Sequence, residues 1–473
     1  MNSTGKLIKN TTIYAIGDII PKLFGFITFP ILTKNIAPEE YGILNYINSI
    51  DIFIVAAGLL CLNTYYLVYY FKVDGEKEQR NLLGNLSLFI IANYLFIAAL
   101  LFVFGPKLFK LIGSSVDFYP YIAIGIATAF FTIVTVLPSA LYRVQERPAP
   151  LTVLNVIRGF AVMIFTILSV YILKPSAVNV LWARFVATAI FGFIFLYITF
   201  KNATFKLDLP QLKRALVFSL PLVPATVATY LYSMFDKILI EKYLTLSDLG
   251  LYSTAATLAF LLNIVSQGAY KAFEPHFFKT YGSSGFDNSF ERVRDLLLFV
   301  VLFGGMCISG FSDEFLRVFS DPKYESARFY VPVLTLGIIA SAMSLMYSTI
   351  VTAREKTKIS AAITILGALL AIILDIVFLR YLGVWAAVFI SAFSYLFLCY
   401  GNMIFSKVKV DHIKPLFGVA IAAGAMFVMT YYMHLDSIIL SIAIKLLFIS
   451  IVTLLLMTYF KVNVKTLINS LKR

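Results

Sequence analysis

Leu32-Thr33-Lys34-Asn35-Ile36-Ala37-Pro38-Glu39-Glu40-Tyr41-Gly42 aligns without gaps on Ile240-Glu241-Lys242-Tyr243-Leu244-Thr245-Leu246-Ser247-Asp248-Leu249-Gly250, about 200 positions later. Lys34 matches Lys242 and Gly42 matches Gly250; conservative pairs such as Ile36/Leu244 and Glu40/Asp248 fill in around them. A second match lies at nearly the same offset, Gln145-Glu146-Arg147 against Arg354-Glu355-Lys356. Two matches in one register argue that the chain is two copies of one unit. In a membrane protein such a duplication points to a transporter with its site between the halves.

The composition requires a membrane. The chain has 473 residues, of which 60% are hydrophobic and only 14% charged, with a mean hydropathy of +0.87. That much apolar side chain with so few charges needs lipid as solvent, and the backbone must then be satisfied within helices or a closed barrel. The apolar runs are long and continuous rather than short and alternating, which favours helices. About fourteen spans near the ~20-residue length of a bilayer crossing can be drawn. Sorting the basic residues by alternate loops puts 25 on one side and 10 on the other. The excess marks the cytoplasmic side, so the span count is even and both termini are cytoplasmic. The net charge of +14 is thus mostly a topology signal. A nucleic-acid partner would want a clustered basic domain, and no hydrophilic stretch here is long enough to fold alone. Cys61, Cys307 and Cys399 fall inside apolar spans without metal or disulfide spacing. The first apolar run is long and no small-residue cleavage site follows it, so no cleavable signal is expected.

The expected fold is an all-α polytopic membrane protein of two six-helix bundles plus a terminal helix pair. The boundaries are 1–206 for the first lobe, 207–406 for the second, and 407–473 for the extra pair and a cytoplasmic tail. Six spans per copy is an even number, so the copies insert in one orientation, related by a pseudo-two-fold along the membrane normal. The final pair has no counterpart and reads as an appendage. Gly42 and Gly250 fall near helical hairpins, where a glycine suits a tight turn and the preceding acid suits a helix N-terminus; the motif reads as structural.

Further residues make the family specific. Thr33-Lys34 and Pro38-Glu39-Glu40-Tyr41-Gly42 are followed by Arg143-Val144-Gln145-Glu146-Arg147, then Phe218-Ser219-Leu220-Pro221-Leu222-Val223-Pro224, Asp236-Lys237 and Gly250-Leu251-Tyr252. In this order and spacing they resemble the polysaccharide-transporter branch (Wzx-type lipid-linked oligosaccharide flippases) of the multidrug/oligosaccharidyl-lipid/polysaccharide exporter superfamily. The resemblance covers the whole chain. It implies alternating access in the cytoplasmic (inner) membrane and a polyprenyl-pyrophosphate-linked glycan as substrate, with membrane lipids and a glycan polymerase machinery as further partners.

Such cargo needs cations for phosphate within the membrane, where each charge is costly and is a functional candidate. Lys22 lies near the middle of the first span, with Asp18 one turn before it on the same side. Asp51 is comparably deep in the second span, Arg158 in the inner part of the fifth, and Arg184 in the outer part of the sixth. Lys22, Arg158 and Arg184 are the expected cationic substrate-binding residues, because guanidinium forks suit phosphate. The alternative is ion pairing, Asp18 with Lys22 and Asp51 with an arginine, that only locks the bundle. All five belong to the first copy. In the second copy Asp236-Lys237 is a gate or lobe-contact candidate, by resemblance, or a snorkelling lysine beside a helix-end acid. Asp375 and Lys445 stand isolated. Asp18, Asp51 and Asp375 are the candidates for coupling to a proton or to sodium, between which the sequence does not choose.

Pro21 and Pro30 are expected to interrupt the first span, and Pro221 and Pro224 the seventh. No phosphate-binding loop motif occurs, so ATP hydrolysis is not expected; His276, His412 and His434 are scattered and suggest no metal set, and no cofactor or enzymatic arrangement is visible. Three other functions stay open: a multidrug cation antiporter of the same superfamily, which would want an acid-dominated cavity; a membrane enzyme acting on the same lipids, which would want a large external loop; and a scramblase or lipid-II-type flippase for peptidoglycan precursor, which would share the mechanism.

Overall fold

The computed structural model describes residues 3–461; the side chains at 3–12, 14–16, 18, 233, 271–276, 278, 279 and 357 lie outside the description, Asp18 and His276 among them. Every regular element among the described residues is helical. The first part of the chain forms α1 (Ser3–Asn35), α2 (Pro38–Leu59), α3 (Leu62–Tyr69), α4 (Gly75–Ile112), α5 (Ala123–Ile133), α6 (Val136–Val144), α7 (Pro148–Ile172), α8 (Ala177–Asn202), α9 (Leu209–Ser219) and α10 (Val223–Tyr243). After α11 (Leu246–Thr280) come α12 (Phe286–Gly310), α13 (Ser312–Phe319), α14 (Val331–Ala353), α15 (Thr357–Leu382), α16 (Val384–Ser406), α17 (Ile413–Tyr431) and α18 (Ile438–Phe460). Thirteen segments among the described residues are long and apolar enough to cross a membrane. The 33-residue α1 stands beside them, which agrees with the expected number of spans.

The chain divides into two compact units, residues 1–250 and 251–473. The seventh span, α9 and α10, therefore clusters with the first unit. The reason lies in the repeated motif. Gly42 is not a turn residue: it sits in the first turns of α2, where a Cβ would overlap the carbonyl of Leu246. A Cβ on Gly250 would overlap the carbonyl of Pro38. The two copies of the motif meet, glycine against backbone, and α10 packs along α2.

The second match is a repeated turn. Gln145, Glu146 and Arg147 donate their backbone N–H groups to Leu141, Arg143 and Tyr142 at 3.0, 3.1 and 2.9 Å. Arg354, Glu355 and Lys356 donate to Ile350, Thr352 and Val351 at 3.0, 2.8 and 3.1 Å, in the same pattern. Both central glutamates are left-handed, at φ 52° and 59°, a conformation that costs an L-residue about 1–2 kcal/mol and that helix ends normally give to glycine. Glu146→Gly and Glu355→Gly are each expected to stabilise the protein by about 0.5–1 kcal/mol, read as a raised thermal midpoint in detergent, whereas Glu→Ala at these sites gains nothing. A midpoint unchanged by either glycine would contradict this reading of the turns.

Prolines mark only one of the two helix breaks expected of them. α1 runs unbroken through Pro21 and Pro30. The seventh span is interrupted, by a 3-10 turn at Leu220–Leu222 that holds Pro221, with Pro224 just after it in the first turn of α10. Two other breaks have no proline at the break. Leu60 and Cys61 are both left-handed between α2 and α3, at φ 46° and 57°, and the Asn93 carboxamide donates to the carbonyls of Ala57 and Gly58 at 3.1 and 3.0 Å. Val134 and Thr135 separate α5 from α6. Irregular backbone at membrane depth persists only where other groups satisfy it, which is what Asn93 does.

In the second unit α14 packs on α16, and α12 on α14. The terminal pair is no appendage. α17 and α18 both pack along α12 and are held by two sets of charges. In the N-terminal half of α12, Asp295 takes Lys414 Nζ at 2.6 Å and Arg294 at 2.8 Å, and Arg294 also donates to the carbonyl of Asp411 at 2.6 Å. Beyond its other end, Glu314 on α13 takes Lys445 of α18 at 2.7 Å and accepts from Ser441. Lys445, isolated in the sequence, is fully buried at 0% exposure.

Candidate functional site

The crossing of α1 and α7 gathers two of the expected cations. A Cβ on Gly17 would press on Thr152, and one on Gly159 would press on Pro21; Phe24 meets Phe160 edge-on at 5.7 Å. Small residues let the backbones approach. Lys22 follows Pro21 and Arg158 precedes Gly159, so both flank this contact. Lys22 is exposed and Arg158 half-buried. Arg158 lies ten residues into α7, about 15 Å along it, and its Nη1 is 3.5 Å from the Thr135 hydroxyl at the α5–α6 break, a marginal contact.

Arg184 sits elsewhere, seven residues into α8 or about 10 Å from that helix's start, half-buried, with the Tyr41 phenol as its electrostatic neighbour. Glu40, beside Tyr41, accepts from the Ala177 N–H that opens α8. The acid thus caps the N-terminus of α8 as well as sitting in the first turn of its own helix. Asp51 of α2 packs against α5, where a Cβ on Gly125 would come within 2.7 Å of its Oδ1. That oxygen is buried without a hydrogen-bond partner.

Among the described residues, no ion pair joins Asp51, Lys22, Arg158 or Arg184 to an opposite charge. The Asp51–arginine lock weighed from the sequence is therefore absent; Asp18 lies outside the described residues. Asp236 and Lys237 are half-buried on α10. The Asp236 carboxylate accepts from the Lys237 backbone N–H at 2.8 Å, and Lys237 Nζ lies 3.8 Å from Met234 Sδ. Asp375, on α15 in the second unit, is buried at 4% exposure.

Sequence reasoning passed over Glu241. It is buried at 2% exposure and accepts from the hydroxyls of Ser114 and Ser115 at 3.0 Å each and from the Ser115 backbone N–H. Ser114 in turn lies 3.2 Å from the Tyr46 phenol. This ties α10 to the turn after α4 and to α2, one helical turn beyond Lys237. A signal was present: Glu241 aligns with Thr33, a neutral residue whose hydroxyl donates to Phe29 O at 3.1 Å and Pro30 O at 3.4 Å. An acid replacing a neutral residue in a repeat needs partners from elsewhere.

His434, expected to be alone, joins Asp313 and Glu325 in a group spaced for a metal ion. The donor set does not fit one. Asp313 already takes Arg317 at 2.6 Å, Arg328, and His434 Nδ1 at 2.8 Å, so two guanidinium charges occupy the carboxylate. Burial pushes the Asp313 carboxyl up, but these donors outweigh it and hold it at about 2. The cluster is an ion-pair knot joining α13 to the segment between α17 and α18.

Set beside known proteins, this architecture is shared. The solved lipid II flippase MurJ, in an inward closed conformation, matches with a TM-score of 0.75 and 16% identity, covering 95% of this chain and 98% of that one. An inward-facing multidrug resistance MATE transporter of the MOP superfamily matches at 0.63 and 12%, covering 87% and 98%. At such identities these likenesses establish the fold. A MatE family profile matches residues 221–377. Two Haemophilus influenzae proteins are similar: an uncharacterized membrane protein, 22% identical over 395 residues, 80% of this chain and 94% of its own length, and Lsg locus putative protein 1, 23% identical over 281 residues, 58% and 66%.

The fold is that of a membrane transporter of the multidrug/oligosaccharidyl-lipid/polysaccharide exporter superfamily. Within it, the chain belongs to the polysaccharide biosynthesis protein family, whose profile matches residues 7–280.

Proposed function

We propose that the protein is a flippase that moves a polyprenyl-pyrophosphate-linked oligosaccharide from the inner to the outer leaflet of the cytoplasmic membrane by alternating access. The observation that carries this reading is the set of cations in the first unit. Arg158 and Arg184 are half-buried on apolar helices with no carboxylate partner among the described residues, and Lys22 flanks the same helix crossing as Arg158. Guanidinium groups held without counter-charges in a membrane helix bundle suit an anionic ligand that can be released, and a pyrophosphate accepts their forks. The family supports a polysaccharide precursor as cargo, and the likeness to a lipid II flippase supports a lipid-linked one. The lipid tail stays in the bilayer, both termini are cytoplasmic by the basic-residue asymmetry, and a glycan polymerase receives the product. Asp51, whose buried oxygen lacks a partner, is the favoured site for a coupling proton or sodium ion, with Asp375 as a second.

Arg158→Ala and Arg184→Ala, with expression confirmed, are each expected to lower surface polysaccharide about 10- to 100-fold, the value of one charged hydrogen-bonding contact to phosphate. Full export in both variants would remove the cationic site. A second reading, multidrug cation antiport, draws on the MatE match over residues 221–377 and on the unpartnered Asp51. Reconstituted protein with fluorescent polyprenyl-pyrophosphate oligosaccharide, with and without a proton gradient, separates the two. Transport of a dye cation alongside failure with every lipid-linked glycan would select the antiporter.

A further inference from the structure

We propose that the end of the second unit bearing the α16–α17 segment carries a headgroup site for an anionic phospholipid, built on Lys407, Lys409 and Arg354. A cavity of about 660 Å³ lies between the turn joining α11 to α12, the segment after α16, and the α14–α15 turn. These three residues line it, with Asp287 as the one acid. The local chain explains the arrangement. Lys407 turns the backbone out of α16 at φ 53°, Val408 is buried as an anchor at 8% exposure, and Lys407 and Lys409 on either side of it are exposed. Both lysines line the cavity. Arg354 donates to the carbonyls of Ser406 at 2.8 Å and Phe405 at 3.4 Å, which fixes the end of α16 against the α14–α15 turn.

The surroundings decide between a lipid and a soluble anion. Ile404 and Phe405, in the turn of α16 just before the cations, are exposed at 64% and 41%. Apolar surface for acyl chains thus adjoins a cationic cavity for the head, the order in which a phospholipid presents itself. The basic-residue asymmetry puts this end at the cytoplasmic face, where anionic lipids attract lysines. The site belongs to the second unit and is independent of the cations in α1, α7 and α8.

The test uses the full chain in nanodiscs of phosphatidylcholine with phosphatidylglycerol, counting retained lipids by native mass spectrometry. Wild type is expected to keep phosphatidylglycerol over phosphatidylcholine. Lys407→Ala/Lys409→Ala, at two exposed positions, is expected to lower that retention about tenfold without lowering the thermal midpoint. Lys356→Ala/Lys358→Ala, exposed lysines of the same face that do not line the cavity, is expected to leave retention unchanged. Equal retention of the two lipids, an equal loss in the Lys356/Lys358 variant, or full displacement of the lipid by soluble glycerol phosphate would each overturn the proposal, the last by making the cavity a soluble-anion site.

Discussion

Lys445→Met is expected to lower the thermal midpoint of the detergent-solubilised protein by on the order of 10 °C. The ammonium is fully buried and lies 2.7 Å from Glu314, whose side chain is 4% exposed. Removing one partner of such a pair strands the other charge without water, a loss of about 3–5 kcal/mol. Ser441 also donates to Glu314 and keeps one hydrogen bond, which does not replace a counter-charge. The pair itself need not be net stabilising, because desolvating two ions offsets most of their attraction. Lys445→Met with Glu314→Leu is therefore expected to recover most of the loss. A single variant that melts with the wild type would show that this carboxylate does not depend on the lysine.

Gly250→Val is expected to destabilise the first unit by about 3 kcal/mol or more, beyond the usual range for overpacking because the obstacle is backbone. A side chain that meets another side chain can be relieved by a rotamer change. A Cβ at Gly250 meets the Pro38 peptide, and one at Gly42 meets the Leu246 peptide, so the starts of α2 and α11 must separate. Even Gly42→Ala is expected to cost about 2 kcal/mol. Gly25→Ala in α1, with open space around its Cβ position, is the control and is expected to gain up to about 1 kcal/mol of helix propensity. Thermal midpoints of the three variants settle this; a Gly250→Val protein as stable as wild type would mean that the two motifs do not touch as closely as described.

The span count and the family could be read from hydropathy and motif order, because both are properties of contiguous sequence. The duplication was visible too, but not its meaning. A glycine followed by a helix looks the same whether it permits a turn or a close approach, and only the position of Leu246 over Gly42 separates the two. Glu146 and Glu355 likewise concealed a left-handed turn that glycine usually advertises. The depths of Arg158 and Arg184 follow from counting residues along apolar runs. Their lack of carboxylate partners among the described residues does not, since it depends on which helix faces fall together. The partners of Lys445 and His434 are hidden for the opposite reason: they sit on the short α13 and its neighbouring turn, more than a hundred residues earlier, in a stretch that reads as a polar loop. Prolines misled in α1 because an N–H lost on one side of a packed helix does not by itself end it, while the α2–α3 break is held by a carboxamide on another helix.

The ties between the terminal pair and α12 bear on how such a chain could have lengthened. A version ending at Ser406 would leave Asp295 without Lys414, Asp313 without His434 and Glu314 without Lys445, and would uncover the side of α12 that α17 and α18 now pack against. Glu314 without its lysine would be worse than a neutral residue there. The hairpin and its acidic docking points are therefore interdependent, since losing the cations alone would strand buried acids. Descendants that lose the hairpin should be found to have neutralised Glu314 as well.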